Sequence, residues 1–363
     1  MATAKKCANW SGASVSCARR PRPRSVGGSR WCGAMSKRGA RPFSTTNSCS
    51  SPQPPADRDQ HWTAVIANIK DAVNALTTGS RSNLAMNDAL SRRRFLKLSA
   101  FCGVGSLTGA YGIFSALHFE VNTYRVPVPN LPLSFNGFTI VQLTDLHHGF
   151  GIPISVIDRV IEQVNLIEKD AIVCTGDYIH GGDGSDAIDK VWSRLNTLQA
   201  RSGVFSVLGN HDHMFDNTEQ SLAYLAKSGQ SVRHGAVPIV RGKDRLWIGG
   251  AGDLWHDSLG IDEAFRNTPP NECKILLSHN PSAADTKFKS KVDLMICGHT
   301  HGGQIAMPPF ASNLCGLHAR GGMQVYISRG IGWYLVPIRI NCAPEISVLK
   351  LVPFDSAAPD KVA

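Results

Sequence analysis

Five short apolar runs between residues 138 and 297 are each followed at once by Asp, Asn or His. The runs are Phe138–Leu143, Ala171–Cys174, Val204–Leu208, Lys274–Leu277 and Leu294–Cys297. The polar segments that follow them are Asp145–His147, Asp177, Asn210–Asp212, His279 and His299–His301. Since ligands bind beyond the carboxyl ends of strands in α/β sheets, we expect these side chains to converge at one edge.

The intervening segments predict an α/β fold. Apolar residues recur at helical spacing over Ile154–Ile167, and Asp186–Leu198 and Glu219–Ala226 are two further predicted helices. Later, Val237–Val240 and Leu246–Ile248 flank a Gly-Lys-Asp turn and predict a β-hairpin. Early βαβ units followed by hairpins predict two packed sheets flanked by helices.

The residue types in the five polar segments indicate a metal centre. They offer carboxylate oxygens, one amide oxygen and imidazole nitrogens, a set that suits Mn, Fe, Zn or Co. The chain has no CxxC pair, so a cysteine-based zinc site is not indicated. The ligands are too many for one ion, and a carboxylate such as Asp177 can bridge two ions about 3.5–4 Å apart. We therefore expect two divalent metal ions.

In chain order the motifs read D-x-H, G-D, G-N-H-D, H and G-H-x-H. This series resembles the calcineurin-like metallophosphoesterase superfamily over about residues 137–352. The resemblance implies a four-layer α-β-β-α sandwich of two mixed sheets flanked by helices. The segments Gly252–Trp255, Gly298–Gln304 and Asn341–Cys342 are similar to the exported YaeI/YkuE-type phosphodiesterases.

The resemblance also implies a role for each motif residue. One ion would be held by Asp145, His147, Asp177 and His301. The other would be held by Asp177, Asn210, His279 and His299, with Asp177 bridging the two. His211 would protonate the leaving alkoxide while a metal-bridging hydroxide attacks phosphorus. Asp212 or Asp145 would orient the His211 imidazole.

The second motif, G-D-Y-I-H-G at residues 176–181, departs from two subclasses of the family. Ser/Thr protein phosphatases have G-D-x-x-D-R-G there, so His180 stands where they have Asp and no Arg follows. Purple acid phosphatases have Tyr at the position of His180. The resemblance therefore disfavours both subclasses.

Residues beside the motifs have two interpretations that the sequence leaves open. His148, Trp255 and Arg329 are candidate substrate contacts. Equally, His148 could be a hydrogen-bonded loop histidine, Trp255 a core residue and Arg329 part of an ion pair. His213 has the same two interpretations as His148. His180 could contact a metal ligand without binding the metal itself.

The resemblance implies an enzyme that hydrolyses phosphodiester or pyrophosphate bonds. A lipid pyrophosphate hydrolase of the UDP-2,3-diacylglucosamine type is an alternative within that class. A noncatalytic envelope-binding protein that keeps its metals for stability is a different class. The presence of His211 favours the enzyme.

The positive charge of the chain lies near its N-terminus. The chain has 38 Lys and Arg against 28 Asp and Glu, but residues 1–97 hold 17 of the former and four of the latter. The rest of the chain is therefore net −3, and we expect no stable nucleic-acid binding by the folded part. Residues 1–85 are predicted to be a disordered basic extension and residues 356–363 a disordered tail.

Residues 86–120 resemble a twin-arginine export signal. The string Ser-Arg-Arg-Arg-Phe-Leu-Lys at 91–97 precedes the uncharged stretch Leu98–Leu117. A single membrane helix is the alternative, because 20 uncharged residues can span a bilayer. Met86 lies five residues before Ser91, which suggests a misassigned start, and a leader of unknown purpose is the other explanation.

The export signal sets the expected partners and location. We expect the twin-arginine translocase as a partner, membrane association, and a position in the periplasm or on the outer face of the cytoplasmic membrane. Cleavage near Ala110–Gly112 would release the enzyme, and retention of the segment would tether it. Residues 121–136 are predicted to be a linker, because residues 126–132 include three prolines. The metallophosphoesterase domain is then expected at 137–355.

Overall fold

Two six-stranded sheets form the framework of this computed structural model, which describes residues 92–149, 151–182, 185–306, 314–354 and 361–362. The strands are β1 (Glu120–Val128), β2 (Thr139–Leu143), β3 (Ala171–Thr175), β4 (Val204–Val207), β5 (Ala236–Arg241), β6 (Asp244–Gly250), β7 (Cys273–Leu277), β8 (Leu294–Cys297), β9 (Gly316–Arg320), β10 (Met323–Ile327), β11 (Glu345–Pro353) and β12 (Lys361–Val362). The helices are α1 (Arg92–Leu117), α2 (Ile154–Leu166), α3 (Ser185–Leu195), α4 (Thr218–Lys227) and α5 (Ile261–Ala264).

Both sheets are mixed. The first has the order β12-β1-β11-β2-β3-β4, in which β2, β3 and β4 are parallel and β11 is antiparallel to β2. The second has the order β5-β6-β7-β8-β10-β9, in which β6, β7, β8 and β10 are parallel. The parallel strands need crossover connections, which α2 and α3 provide in the first sheet.

The two sheets pack face to face. Ile140 and Val173 of the first sheet share one buried apolar cluster with Ile275 and Ile296 of the second. Helices α2, α3 and α4 cover the outer face of the first sheet, where Trp192 is buried. Over the second sheet the helical layer is thin and consists of α5 and a 3₁₀ turn at Pro281–Asp285. The predicted fold of two mixed sheets flanked by helices is confirmed.

The predicted linker at 121–136 is wrong, because its first half belongs to strand β1 and a 3₁₀ turn follows at Leu133–Phe135. That strand pairs in parallel with β11 along Glu120–Val128, so the domain begins well before residue 137. Among the described residues β12 pairs only with Thr123 and Tyr124, so Pro127 lies on an edge segment, where its missing N–H is tolerated. Lys361–Val362 of the predicted tail forms β12. Predictions for residues 1–85 and for the rest of the tail lie outside the described residues.

Helix α1 contains the apolar part of the predicted export signal, and its last turns pack on the domain. The Gly112 carbonyl accepts the Arg339 N–H at 3.0 Å, and Ser115 and Ala116 are buried. A Cβ at Gly112 would lie 2.7 Å from the Ile338 side chain, so a larger residue here would displace Ile338. Within the described residues, Ser99–Leu117 is the one helical stretch long and apolar enough to cross a membrane.

Candidate active site

The strand ends bring the predicted metal ligands together. Strands β2, β3 and β4 lead into Asp145, Asp177 and Asn210, and β7 and β8 lead into His279 and His299. The carboxylates of Asp145 and Asp177 are 0% and 1% exposed. Such buried charges occur in proteins when they are paired or bind cations.

One group of ligand atoms comes from Asp145, His147 and His301. The Nε2 atoms of His147 and His301 are 3.0 Å apart, and His301 Nε2 lies 3.4 Å from Asp145 Oδ1. Two ligands about 2.1 Å from one ion stand roughly 3.0–3.4 Å apart in octahedral or tetrahedral geometry. The third distance, from His147 Nε2 to Asp145 Oδ1, is 4.0 Å, which is near the roughly 4.2 Å between ligands on opposite sides of an octahedral ion. The spacing of this first group therefore fits one metal ion.

A second group comes from Asp177, His279 and His299. His279 Nε2 lies 3.1 Å from Asp177 Oδ2 and 3.1 Å from His299 Nδ1. Asn210 belongs with this group by sequence prediction, and its Oδ1 is buried without a protein hydrogen-bond partner. Because a buried amide oxygen without a partner is costly, a cation is a suitable occupant for this group.

Asp177 lies between the two groups. Its Oδ2 is 3.5 Å from His147 Nε2 of the first group and 3.1 Å from His279 Nε2 of the second. Its Oδ1 accepts the His211 backbone N–H at 2.8 Å, which fixes the carboxylate. Gly209 packs so closely that an added Cβ would collide with Asp177 Oδ1. The carboxylate is therefore held where one oxygen can serve both groups.

The electrostatics of the site favour a bound cation. Burial lowers the pKa of His147 and His301 well below the usual value, which keeps both rings in the neutral, metal-binding form. Burial also acts on His279, but the charge and hydrogen bond of Asp177 outweigh it and raise the pKa of His279 to about 10. The carboxylates thus attract a positive charge, which a divalent ion would supply in place of this proton.

The ligand backbone is strained. Asp145, His147, Asp177, His299 and His301 all have φ between 46° and 71°. This left-handed region is uncommon for residues other than glycine and costs of order 1–3 kcal/mol each. Backbone strain of this kind concentrates at functional sites, and the sequence carries no sign of it.

His211 lies beside the first group, and a backbone carbonyl orients it. Its ring centroid is 4.6 Å from that of His147, and its Nδ1 is 2.6 Å from the His180 carbonyl oxygen. Because a carbonyl only accepts, Nδ1 carries the proton and Nε2 is left to exchange a proton with substrate. His180 therefore supports His211 through its main chain.

The structure gives Asp212 and Asp145 partners other than the His211 imidazole that they were predicted to orient. The Asp212 carboxylate accepts N–H groups from Asp177 at 2.8 Å, Tyr178 at 2.9 Å and Gly209 at 2.9 Å. Asp145 accepts from Thr144 Oγ1 at 2.8 Å and from the His299 N–H. Four backbone N–H groups occupy the Asp212 carboxylate, which holds the loops that carry Asp177 and Asn210.

Two of the three candidate substrate contacts are engaged elsewhere. Arg329 pairs with Glu345 at 2.8 Å and with Glu120 at 3.1 Å, so its guanidinium joins β10 to β11 and β1. His148 is 8% exposed and donates Nδ1–H to the Ile152 carbonyl at 3.0 Å. This contact favours the interpretation of His148 as a hydrogen-bonded loop histidine.

Trp255 stands at the mouth of the site. Its ring meets the His299 ring edge to face at 4.8 Å, and 57% of the residue is exposed, so it is not a core residue. The Asp253 carboxylate accepts the N–H groups of Trp255 and His256 and fixes this turn. Next to it, His213 is buried and stacks on His256.

Sequence reasoning missed two residues of the site. Arg339 is fully buried and donates to the carbonyls of His301 at 3.1 Å and Arg329 at 2.9 Å, which braces the His301 loop. Tyr334 places its ring 5.6 Å from that of His211. One signal was available, because Arg339 is the single charged residue in the apolar stretch 330–340.

A family model described as calcineurin-like phosphoesterase matches residues 138–303, which include all nine motif residues. The phosphodiesterase YaeI of Escherichia coli is 30% identical over 281 residues, which cover 72% of this chain and 100% of YaeI. The chain belongs to the calcineurin-like phosphoesterase family. The protein is thus a metal-dependent phosphoesterase, as predicted.

Two other relatives extend the comparison. The uncharacterised metallophosphoesterase YkuE of Bacillus subtilis is 29% identical over 279 residues, which cover 72% of this chain and 98% of YkuE. A bovine transmembrane protein with a metallophosphoesterase domain is 30% identical over 254 residues, which cover 64% of this chain and 56% of that protein. The predicted likeness to YaeI and YkuE is confirmed.

Proposed function

We propose that the protein hydrolyses phosphodiester or pyrophosphate bonds at a centre of two divalent transition ions. The observation that carries this proposal is the position of Asp177 Oδ2 within 3.5 Å of His147 Nε2 and 3.1 Å of His279 Nε2. A carboxylate oxygen between two imidazole groups suits a bridging ligand. Asp145 and His301 complete the first site, and Asn210 and His299 the second.

In the proposed reaction, the ions and His211 have different roles. When bound, the two ions would activate water as the nucleophile and offset charge on the phosphate oxygens. Water adds to phosphorus and one P–O bond breaks, which gives a phosphomonoester and an alcohol. His211 Nε2 gives its proton to the departing oxygen while Nδ1 stays hydrogen-bonded to the His180 carbonyl.

The arginines near the site favour a diester over a monoester. A phosphomonoester carries a second negative charge near neutral pH, and arginine is a common partner for it. Arg329 is engaged by Glu345 and Glu120, and Arg339 is buried among carbonyl groups. The name of the relative YaeI, a phosphodiesterase, points the same way.

The enzyme is proposed to act outside the cell, exported by the twin-arginine translocase. The motif at 91–97 and the apolar helix α1 support this location. The contacts of Gly112, Ser115 and Ala116 with the domain favour retention of α1 as a tether. Replacing Arg92 and Arg93 by Lys in residues 86–363 should abolish external activity in fractionated cells. Equal external activity would reject the route, and a requirement for residues 1–85 would reject a start at Met86.

An activity screen of the full chain in detergent tests the reaction. Metal-free protein reloaded with Mn, Fe, Zn or Co would be given a diester, a monoester and a lipid-linked pyrophosphate, with elemental analysis of each sample. We expect two ions per chain and turnover of a diester or pyrophosphate. His318→Ala is the matched control for His211→Ala, because His318 lies on β9 and its ring bonds the Cys315 carbonyl. Loaded protein without diester or pyrophosphate turnover would overturn the proposal.

A further inference from the structure

An exposed apolar loop projects beside the active site. Tyr334, Leu335 and Val336 are 47%, 53% and 44% exposed. These three residues, here called the apolar loop, lie in a stretch whose single charged residue, Arg339, is fully buried. Three adjacent large apolar side chains in solvent are unusual on a soluble surface and mark an interaction site.

The apolar loop is continuous with the end of helix α1. Ile113 and Leu117 of α1 line one groove with Trp333, Leu335 and Pro337, and the groove encloses about 440 Å³. Gly112 of α1 is bonded to the chain just beyond this loop. The last turns of α1 and the apolar loop therefore lie side by side on the surface of the domain.

The length of α1 identifies the surface that covers this region. Ser99–Leu117 is 19 residues long, and at 1.5 Å per residue it spans about 28 Å, close to the hydrocarbon thickness of a bilayer. A bilayer crossed by α1 would meet the domain at residues 113–117, where the apolar loop also lies. Tyr and Trp are enriched at this interfacial level of membranes.

Tyr334, the first residue of the apolar loop, lies beside the active site. The Tyr334 ring lies 5.6 Å from the ring of His211 and 6.3 Å from that of His180. Its backbone N–H donates to Gln304 Oε1 at 2.5 Å, which ties the loop to the segment after His301. A surface that receives Leu335 and Val336 would thus lie against the leaving-group side of the site.

We infer that the apolar loop inserts into the membrane that α1 crosses, and that the enzyme cleaves a phosphodiester or pyrophosphate in the headgroup of a membrane lipid. This substrate class rests on the proposed function. The acyl chains would stay in the bilayer beside Leu335 and Val336, while the headgroup phosphate reaches His211 past Tyr334. A bilayer is favoured over a second copy of the chain because the patch continues into a helix of membrane-spanning length.

Insertion can be measured without turnover. The full chain carrying Leu335→Trp would be reconstituted in phosphatidylcholine–phosphatidylglycerol vesicles with and without brominated acyl chains. We expect brominated lipid to quench the added fluorescence, relative to wild type. Leu166→Trp is the control, because Leu166 is 75% exposed at the far end of α2. Absence of quenching at residue 335 would overturn insertion, and a change of oligomeric mass would then assign the patch to a second copy.

Substrate class is tested with the double variant Leu335→Asp, Val336→Asp. We expect its kcat/KM to fall about tenfold or more on phosphatidylglycerol or UDP-2,3-diacylglucosamine in vesicles, and less than about twofold on a soluble diester. Leu166→Asp should change neither. Equal losses on both substrates, or no loss on either, would overturn the inference. If wild type cleaves no substrate at all, the proposed function fails, while the quenching result still decides insertion.

Discussion

Asp212→Asn separates two explanations of the acidic residue in the third motif. In the structure, one carboxylate oxygen accepts from the N–H groups of Asp177 and Gly209 and the other from those of Tyr178 and Ile179. An Asn side chain has a single acceptor oxygen, so it can serve one of these pairs. Its NH₂ group would face the donors of the other pair.

The expected cost follows from the two hydrogen bonds lost. Hydrogen bonds to a charged group contribute about 1.5–3 kcal/mol each, so the substitution should cost roughly 3–6 kcal/mol. For a domain of this size, 1 kcal/mol lowers Tm by about 2–4 °C. The expected fall in Tm is therefore roughly 6–24 °C. The loop that carries Asp177 would also loosen, so the protein should lose metal.

Thermal unfolding of the full chain in detergent is the assay, with metal content measured on the same samples. The measurement belongs at pH 8.5, because burial and the charge of Asp177 raise the pKa of Asp212 to about 7. Asp158→Asn is the control, since Asp158 pairs with Arg194 at the surface, where such pairs contribute about 0–1 kcal/mol. An unchanged Tm and metal content with a 100-fold fall in kcat would refute this reasoning and restore Asp212 as the group that orients His211.

Four further substitutions have expected outcomes. Asp177→Asn should remove both proposed ions in elemental analysis, because Asp177 Oδ2 lies 3.5 Å from His147 Nε2 of one group and 3.1 Å from His279 Nε2 of the other. His211→Ala should keep both ions and lose about 10²–10⁴ in kcat on a diester with a poor leaving group; near-normal turnover would contradict its role as the acid. Arg329→Ala should lower Tm without raising KM, because its guanidinium contacts Glu345 and Glu120. A raised KM would instead support the prediction that Arg329 contacts the substrate. Burial acts to raise the pKa of Glu345, but Arg329 outweighs burial and holds it below the ordinary 4.5. The stabilisation that ionised Glu345 provides is thus fully present above about pH 4.5 and is lost as pH falls through its lower pKa in the folded protein. Glu345→Gln should therefore make Tm vary less with pH on the acid side.

The convergence of the predicted metal ligands could be inferred from the sequence, because their residue types recur at strand ends. Asp, His and Asn after buried strands limit the chemistry, and parallel strands bring their carboxyl ends to one edge. This is why Asp177 and His299, 122 residues apart in sequence, meet in the second group. The apolar runs likewise predicted β2, β3, β4, β7 and β8, since fully buried strands are apolar on both faces.

A strand or a charged side chain whose role depends on its neighbours in the fold could not be predicted in the same way. Strand β1 contains Pro127, which argues against a strand until its edge position is known. Arg329 was a candidate phosphate contact because the sequence does not show that Glu345 and Glu120 lie beside it. Tertiary packing determines which acidic residue pairs with Arg329, and Glu345 and Glu120 are 16 and 209 residues away in sequence.

His211, the proposed general acid, shows why the role of a residue is harder to predict than its position. His211 is oriented by the carbonyl of His180, and every residue type offers such a carbonyl, so no substitution pattern could reveal it. Asp212, the nearest acid in sequence, was the natural candidate, yet it is occupied by backbone donors from two loops. The acid is needed there because Asp177, one residue of the loop it holds, has φ of 54°. Backbone strain at the predicted ligands and a buried carboxylate that restrains them are therefore two parts of one arrangement: the Asp212 carboxylate fixes the loop that carries Asp177, the proposed bridging residue.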